Sequence, residues 1–355
     1  MGRTALLIVV VLLAGGVYLF RGDLAPHLLE RALNSRMASD PVAALPDGLH
    51  LILCGAGAPL PDPERSGPCA AVIAGDTVVV VDAGSGGATN LQRLGIVPGR
   101  IEALFLTHFH SDHIDGLGQM ALLRWTTGRH EAPLPVHGPT GVAEVVAGFN
   151  AAYRLDAGYR TAHHGTEVAP PAGAGSTAHP FTTPPQGKAA TVWRDGGLTV
   201  TAFAVPHEPA TPAVGYRFDY RGRSLVISGD TASSQNLTRF ATDADLLVHE
   251  ALAPHLVGIM SRAARRAGRG NVVRITDDIL RYHTTPTEAA EVAAAAGVDH
   301  LLYYHVLPPL PVPGLGAAFL DGVDRVYDGG VTLGEDGTLV SLPEGSREIA
   351  ISQRL

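Results

Sequence analysis

Between Thr107 and His113 the chain reads Thr-His-Phe-His-Ser-Asp-His, placing four side chains able to bind a metal, His108, His110, Asp112 and His113, within six positions. They follow directly on the apolar run 101–106, where a buried strand ends and a turn begins. In extended backbone His108 and His110 project to one side, and the turn swings Asp112 and His113 toward a neighbouring point. Such a set can hold two cations a few ångströms apart. Imidazole and carboxylate donors suit Zn2+ first, with iron or manganese as lesser fits. Surface histidines, or residues capping the helix that follows, would account for the residue types but not for their spacing at a strand-to-helix junction.

The elements that must position this cluster are legible around it. Short apolar runs at 50–55, 69–75, 77–84 and 101–108 read as strands, and 86–95, 114–125 and 141–153 read as helices. A second block repeats the order, with strands at 198–207, 214–222, 224–231, 245–251 and 300–305. Residues 286–297 form a helix with Thr285 as N-cap, Pro286 at its first position and Gly297 beyond its end. The interval 159–190, rich in His, Pro, Gly and Thr, reads as a long loop or lid. With 355 residues, 46% hydrophobic, 42 glycines and 26 prolines, the composition fits an α/β protein with many turns and a substantial core. The net charge of −8 argues against a protein that coats nucleic acid, although a local basic patch remains compatible with phosphate binding. Cys54 and Cys69 either pair or lie buried as thiols. Nothing in the sequence specifies an oligomeric state.

Residues 5–20 are sixteen positions without a charge, flanked by Arg3 and Arg21. No A-x-A site follows, and Tyr18 and Phe20 suit a membrane interface, so the run reads as an uncleaved signal anchor rather than a buried core helix. Residues 21–46 then form a juxtamembrane helix and linker, 47–345 a hydrolase domain with insertions at 159–190 and 252–275, and 346–355 a tail. This layout implies a membrane partner for the N-terminal helix and a catalytic domain in the periplasm or outside the cell.

The 107–113 cluster resembles the signature of the metallo-β-lactamase superfamily. The resemblance implies a four-layer αββα sandwich behind the membrane helix. Asp82, in VVDAG, matches the aspartate that supports the metal loop; His207, Asp230 (in LVISGDT) and His305 (in LLYYHV) match the remaining ligands. By that resemblance one divalent ion takes His108, His110, His207 and Asp230, and a second takes Asp112, His113, His305 and the bridging Asp230. Two cations lower the pKa of a shared water toward neutrality, so hydrolysis needs no serine or cysteine nucleophile. Asp112 is then the group that orients or deprotonates the water.

LLVHEA, with His249 and Glu250, and the segment from Tyr282 to His305 resemble tRNase Z, and that resemblance covers about residues 48–310. It implies His283 as general acid, held charged by Glu250. The departure is an interval of only 22 residues between His207 and Asp230, where tRNase Z carries an arm that grips tRNA. Extra length falls instead at 159–190, with His163 and His164 as substrate contacts, and at 252–275, where Arg262, Arg265, Arg266, Arg269 and Arg274 form a solvated or anion-binding face. The expected activity is hydrolysis of a small phosphodiester or sulfate ester. The alternatives are a tRNA 3′-end endoribonuclease and a non-catalytic, membrane-anchored metal-binding domain.

Overall fold

The computed structural model describes Tyr18 and residues 21–355, which fall into two units, one up to Ala44 and one from Leu45. In the first unit, helix α1 (Arg21–Ala38) has no buried residue. The segment 5–20, expected from its sequence to be a signal anchor, lies outside the described residues apart from Tyr18, and no helix among the described residues is long and apolar enough to cross a membrane.

The second unit is an α/β fold of two mixed sheets. Its strands are β1 (Gly48–Gly55), β2 (Cys69–Ala74), β3 (Thr77–Val81), β4 (Ile101–Phe105), β5 (Leu134–Pro139), β6 (Ser176–Phe181) and β7 (Ala189–Asp195). They continue as β8 (Leu198–Ala204), β9 (Val214–Tyr220), β10 (Arg223–Ile227), β11 (Leu246–Leu252), β12 (His300–Leu307), β13 (Gly330–Leu333), β14 (Thr338–Pro343) and β15 (Ala350–Gln353). One sheet has the order β15-β14-β1-β2-β3-β4-β5-β6, the other β13-β12-β11-β10-β9-β8-β7. Strands β1, β2, β10, β11 and β12 are buried throughout, which is why they read as continuous apolar runs rather than alternating ones. Leu51, Val79 and Phe105 from one sheet meet Val200, Phe218 and Leu302 from the other in a shared core.

Helices pack against both sheets. Helices α2 (Gly87–Arg93), α3 (Ser111–Ile114), α4 (Leu117–Gly128) and α5 (Val142–His164) belong to the first half. The second half supplies α6 (Gln235–Phe240), α7 (Pro254–Arg266), α8 (Gly270–Asp278), α9 (Pro286–Ala296) and α10 (Leu315–Phe319). The α9 helix begins as its sequence dictates: the Thr285 side chain accepts from the Glu288 amide, Glu288 answers the Thr285 amide, and Gly297 closes the end at φ 65°. Its alanines 289, 293 and 296 pack on Leu247 and Leu301.

Two sequence expectations are corrected. The 159–190 interval is not one long loop: α5 continues to His164, β6 pairs in parallel with β5, and β7 begins at Ala189. The 346–355 segment is no free tail, because β15 pairs antiparallel with β14. Cys54 and Cys69 form a disulfide that joins the end of β1 to the start of β2 across a sequence separation of 15. Closing a loop of that size stabilises the fold by roughly 3 kcal/mol through the unfolded chain's lost freedom.

His137, in β5, stacks on Phe105 and His179, and burial followed by the neighbouring His179 charge pulls its pKa down to about 4. The folded form therefore stays neutral through a range in which the unfolded chain takes up a proton. Its contribution is intact above the unfolded value near 6.5 and is lost as pH falls toward 4, by about 1.4 kcal/mol per pH unit and roughly 3 kcal/mol at most. Denaturant unfolding at pH 5 and pH 7 should show a smaller pH difference for His137→Phe than for the parent. Equal differences would refute the assignment.

Candidate metal centre

Chain geometry at the ends of four strands, β4, β8, β10 and β12, brings the seven candidate ligands together. After β4 the backbone is tied down by Asp82: its carboxylate accepts the Thr107 N–H at 2.8 Å and the Thr107 hydroxyl at 2.9 Å, and pairs with His113 Nδ1 at 2.8 Å. That contact turns His113 Nε2 inward. Asp82 itself sits at φ 57°, in the left-handed region, where the chain turns sharply out of β3. His305 is aimed by a β-bulge. Glu250 pairs with Tyr304 and Ala251 with Val306, so His305 is skipped, adopts φ 46° and leaves the alternation of β12 to face the cluster.

Two donor sets result. His108, His110, His207 and Asp230 place one donor atom each within 4.8 Å of one another, and Asp112, His113 and His305 do the same. His108 Nε2 lies 3.0 Å from His110 Nδ1, which lies 3.3 Å from His207 Nε2. Asp230 Oδ2 is shared: it is 3.8 Å from both His108 Nε2 and His207 Nε2, 3.3 Å from His113 Nε2 and 3.2 Å from His305 Nε2. Asp112 Oδ2 is 3.3 Å from His305 Nε2.

The residues fit metal. Three imidazole nitrogens converge on one point, while His113 Nε2 and Asp230 Oδ1 are buried without a hydrogen-bond partner. Buried groups of that kind are costly unless a cation meets them. Burial pushes the Asp230 carboxyl up, but His305 and His113 more than offset it and hold it well below the usual carboxylate range. Two of the remaining ring nitrogens are held by the protein: His207 Nδ1 donates to the Tyr282 carbonyl at 2.9 Å, and His108 Nδ1 meets the Thr107 hydroxyl at 3.1 Å. Two divalent cations bound here would polarise an ester under attack and lower the pKa of water.

The turn carrying Asp112 has no room to spare. A Cβ on Gly84 would stand 2.5 Å from the Asp112 carbonyl and 2.6 Å from the Pro68 nitrogen, both rigid backbone. Gly84→Ala should therefore displace Asp112 and weaken metal binding about 10- to 100-fold, the range seen when the groups supporting a ligand are lost. Metal titration of the variant checks this; parental affinity would show that the turn relaxes freely.

His283 stands beside the second set. Asp230, His283 and His305 place donor atoms within 4.8 Å of one another, and His283 Nδ1 ion-pairs with Glu250 Oε1 at 3.2 Å. Burial lowers the His283 pKa, but Glu250 and Asp230 outweigh it and the net direction is upward. Glu250 is completely buried, and the same oxygen accepts the Thr231 and Thr284 amides at 3.2 and 3.0 Å. Neighbouring His249 is equally buried and bonds through Nδ1 to the Glu250 carbonyl, supporting the strand from behind without reaching the metal ligands.

Four of the seven candidate ligands, His110, Asp112, Asp230 and His305, floor a cavity of about 410 Å³ together with His283. Val257 and Met260 of α7, Val272 and Ile275 of α8, and Ile279 just after it wall its outer side. These residues were missed in the sequence reading, which took 252–275 as a basic insertion; the apolar positions between its arginines are the signal that marks the inner face.

A family model described as the metallo-β-lactamase superfamily matches residues 62–279. The chain belongs to the metallo-β-lactamase superfamily. Within that superfamily it lies on the ribonuclease Z-like branch: over 290 residues it is 36% identical to a ribonuclease Z of Mycobacterium avium, covering 81% of this chain and 96% of that protein. Among solved structures, the metallo-β-lactamase fold protein YhfI of Bacillus subtilis aligns with TM-score 0.59 at 19% identity, over 82% of this chain and 99% of its own. The short form of human tRNase Z aligns with TM-score 0.57 at 22% identity, over 83% and 99%. The protein is thus a metal-dependent hydrolase of the superfamily, with the seven candidate ligands, Asp82, Glu250 and His283 gathered at one place. His163 and His164, by contrast, are exposed at the end of α5 and belong neither to the donor sets nor to the cavity wall.

Proposed function

We propose that this chain is a two-metal phosphodiester hydrolase of the ribonuclease Z type, and that the 3′ end of precursor tRNA is the first substrate to test. The observation that carries the reaction class is the buried Glu250–His283 pair against Asp230 and His305. A protonated imidazole there can donate to a departing ester oxygen, which a phosphodiester with an alkoxide leaving group requires. Asp112 faces the cavity with its side chain 12% exposed, in position to orient the attacking water. The RNA reading rests on the relatives' name and moves the balance away from the small-ester expectation drawn from the sequence.

A second reading, a small ester as substrate, is favoured by the apolar wall of the cavity and by the interval 208–229. That interval holds only a loop, β9, the turn at Arg221 and Gly222, and β10. The buried disulfide also supports the proposal that the domain works in an oxidising compartment, beyond the membrane for which the apolar leader argues. Full-length, metal-loaded protein should be assayed on precursor tRNA with a 3′ trailer and on bis(p-nitrophenyl) phosphate and p-nitrophenyl sulfate. Cleavage of the trailer, lost in His283→Ala, supports the first reading. Turnover of the small diester with intact tRNA supports the second, and no turnover of any of them overturns both.

A further inference from the structure

The cavity over the metal ligands has two unlike halves. Its floor is His110, Asp112, Asp230, His283 and His305; its outer wall is aliphatic, from Val257, Met260, Val272, Ile275, Ile279 and Leu60. Besides the histidines, Tyr282 is the one aromatic side chain among the described residues that line it. A site built to stack nucleobases presents flat aromatic faces, whereas branched aliphatic side chains and a deformable methionine suit a flexible hydrocarbon. Ile275 lines the cavity yet remains 58% exposed, so an apolar surface at its mouth is left in water until something covers it. The segment 254–281 that supplies the wall also carries six arginines against two aspartates, in a chain whose net charge is −8. Asp277 and Asp278 are taken up by Arg265 at 3.1 Å and Arg274 at 3.5 Å. This segment is therefore apolar toward the cavity and cationic elsewhere, the complement of an anion that bears a hydrocarbon chain.

We infer that the α7–α8 wall is a subsite for an aliphatic chain, and that the site's substrates include phosphodiesters carrying one. The inference rests on the phosphodiesterase reading for its reaction but not for its binding, and it holds whether or not tRNA is cleaved. The phosphodiester lies over the metal ligands; water adds to phosphorus, the P–O bond to the leaving alcohol breaks, and that oxygen leaves protonated. The hydrocarbon lies along Val257, Met260 and Ile275. Each methylene buried there contributes about 0.8 kcal/mol, or about fourfold in affinity.

The test is a binding series on the full-length, zinc-loaded protein with methyl-, propyl-, butyl- and hexylphosphonate, measured by titration calorimetry. Affinity should rise about fourfold per methylene. Met260→Ser and Ile275→Ser should flatten that rise, while Ile259→Ser, exposed on α7 outside the cavity, keeps it. Ile275 is exposed enough that its replacement leaves folding intact, so a flattened slope reads the subsite rather than the fold. An affinity independent of chain length, or an unchanged slope in both cavity variants, overturns the inference. A parallel series of alkyl p-nitrophenyl phosphates separates it from the reaction. A chain-length slope in binding without turnover keeps the subsite and rejects the phosphodiesterase; turnover without a slope does the reverse.

Discussion

Asp230→Asn should leave a protein that no longer holds two metals at once and has lost activity by about a thousand-fold or more. One oxygen of Asp230 is the point common to both donor sets, standing 3.2 to 3.8 Å from the facing nitrogens of His305, His113, His108 and His207. Asparagine keeps the shape and one carbonyl oxygen but removes the charge that both cations would share. Metal polarisation supplies several kcal/mol of transition-state stabilisation, and each 1.4 kcal/mol or so is tenfold in rate. Metal content per chain by mass spectrometry, with kcat on a phosphodiester, reads both halves of the expectation. A variant that retained two metals and activity near the parent's would show that Asp230 does not bridge.

The ligand set was legible to different depths for a physical reason. His108, His110, Asp112 and His113 fall within six positions at one strand-to-helix junction, so their spacing alone carries the geometry. His207, Asp230 and His305 were found only through resemblance, since each is a single polar residue at the end of an apolar strand and looks alike in any α/β sheet. The orientation of His305 depends on a bulge and a left-handed backbone that its sequence, Tyr-Tyr-His-Val, does not announce. Edge strands were lost for the opposite reason. β6 and β15 are partly exposed and contain Ser, Thr, His, Pro and Gln, so no alternation of burial marked them and they read as lid and tail.

The cavity wall escaped because helix α7 shows its arginines in sequence and its apolar face only in three dimensions. Arg262, Arg265 and Arg266 dominate the segment as read, while Val257 and Met260, which meet the cavity, are separated by one turn. The same segment thus yielded the expectation of a solvated or anion-binding face and nothing of the cavity wall that its apolar positions form. Local pattern records which positions are polar; it does not record what the apolar positions are packed against.

His283→Ala should lower kcat by about 10²- to 10⁴-fold on a phosphodiester with an alkoxide leaving group, the range for loss of a general acid. The loss should be far smaller with p-nitrophenolate, an anion stable enough to depart without a proton. A purely structural role would depress both substrates alike, so the split between them is the diagnostic result. Glu250→Gln extends the test. Glutamine can still accept the Thr231 and Thr284 amides that now reach Oε1, so the loop keeps its support while the charge facing His283 Nδ1 disappears. Its effect should also fall mainly on the alkoxide substrate. Because the carboxylate acts through the imidazole, combining both substitutions should cost no more than His283→Ala alone. Additive losses in the double variant would mean that Glu250 serves the reaction by another route.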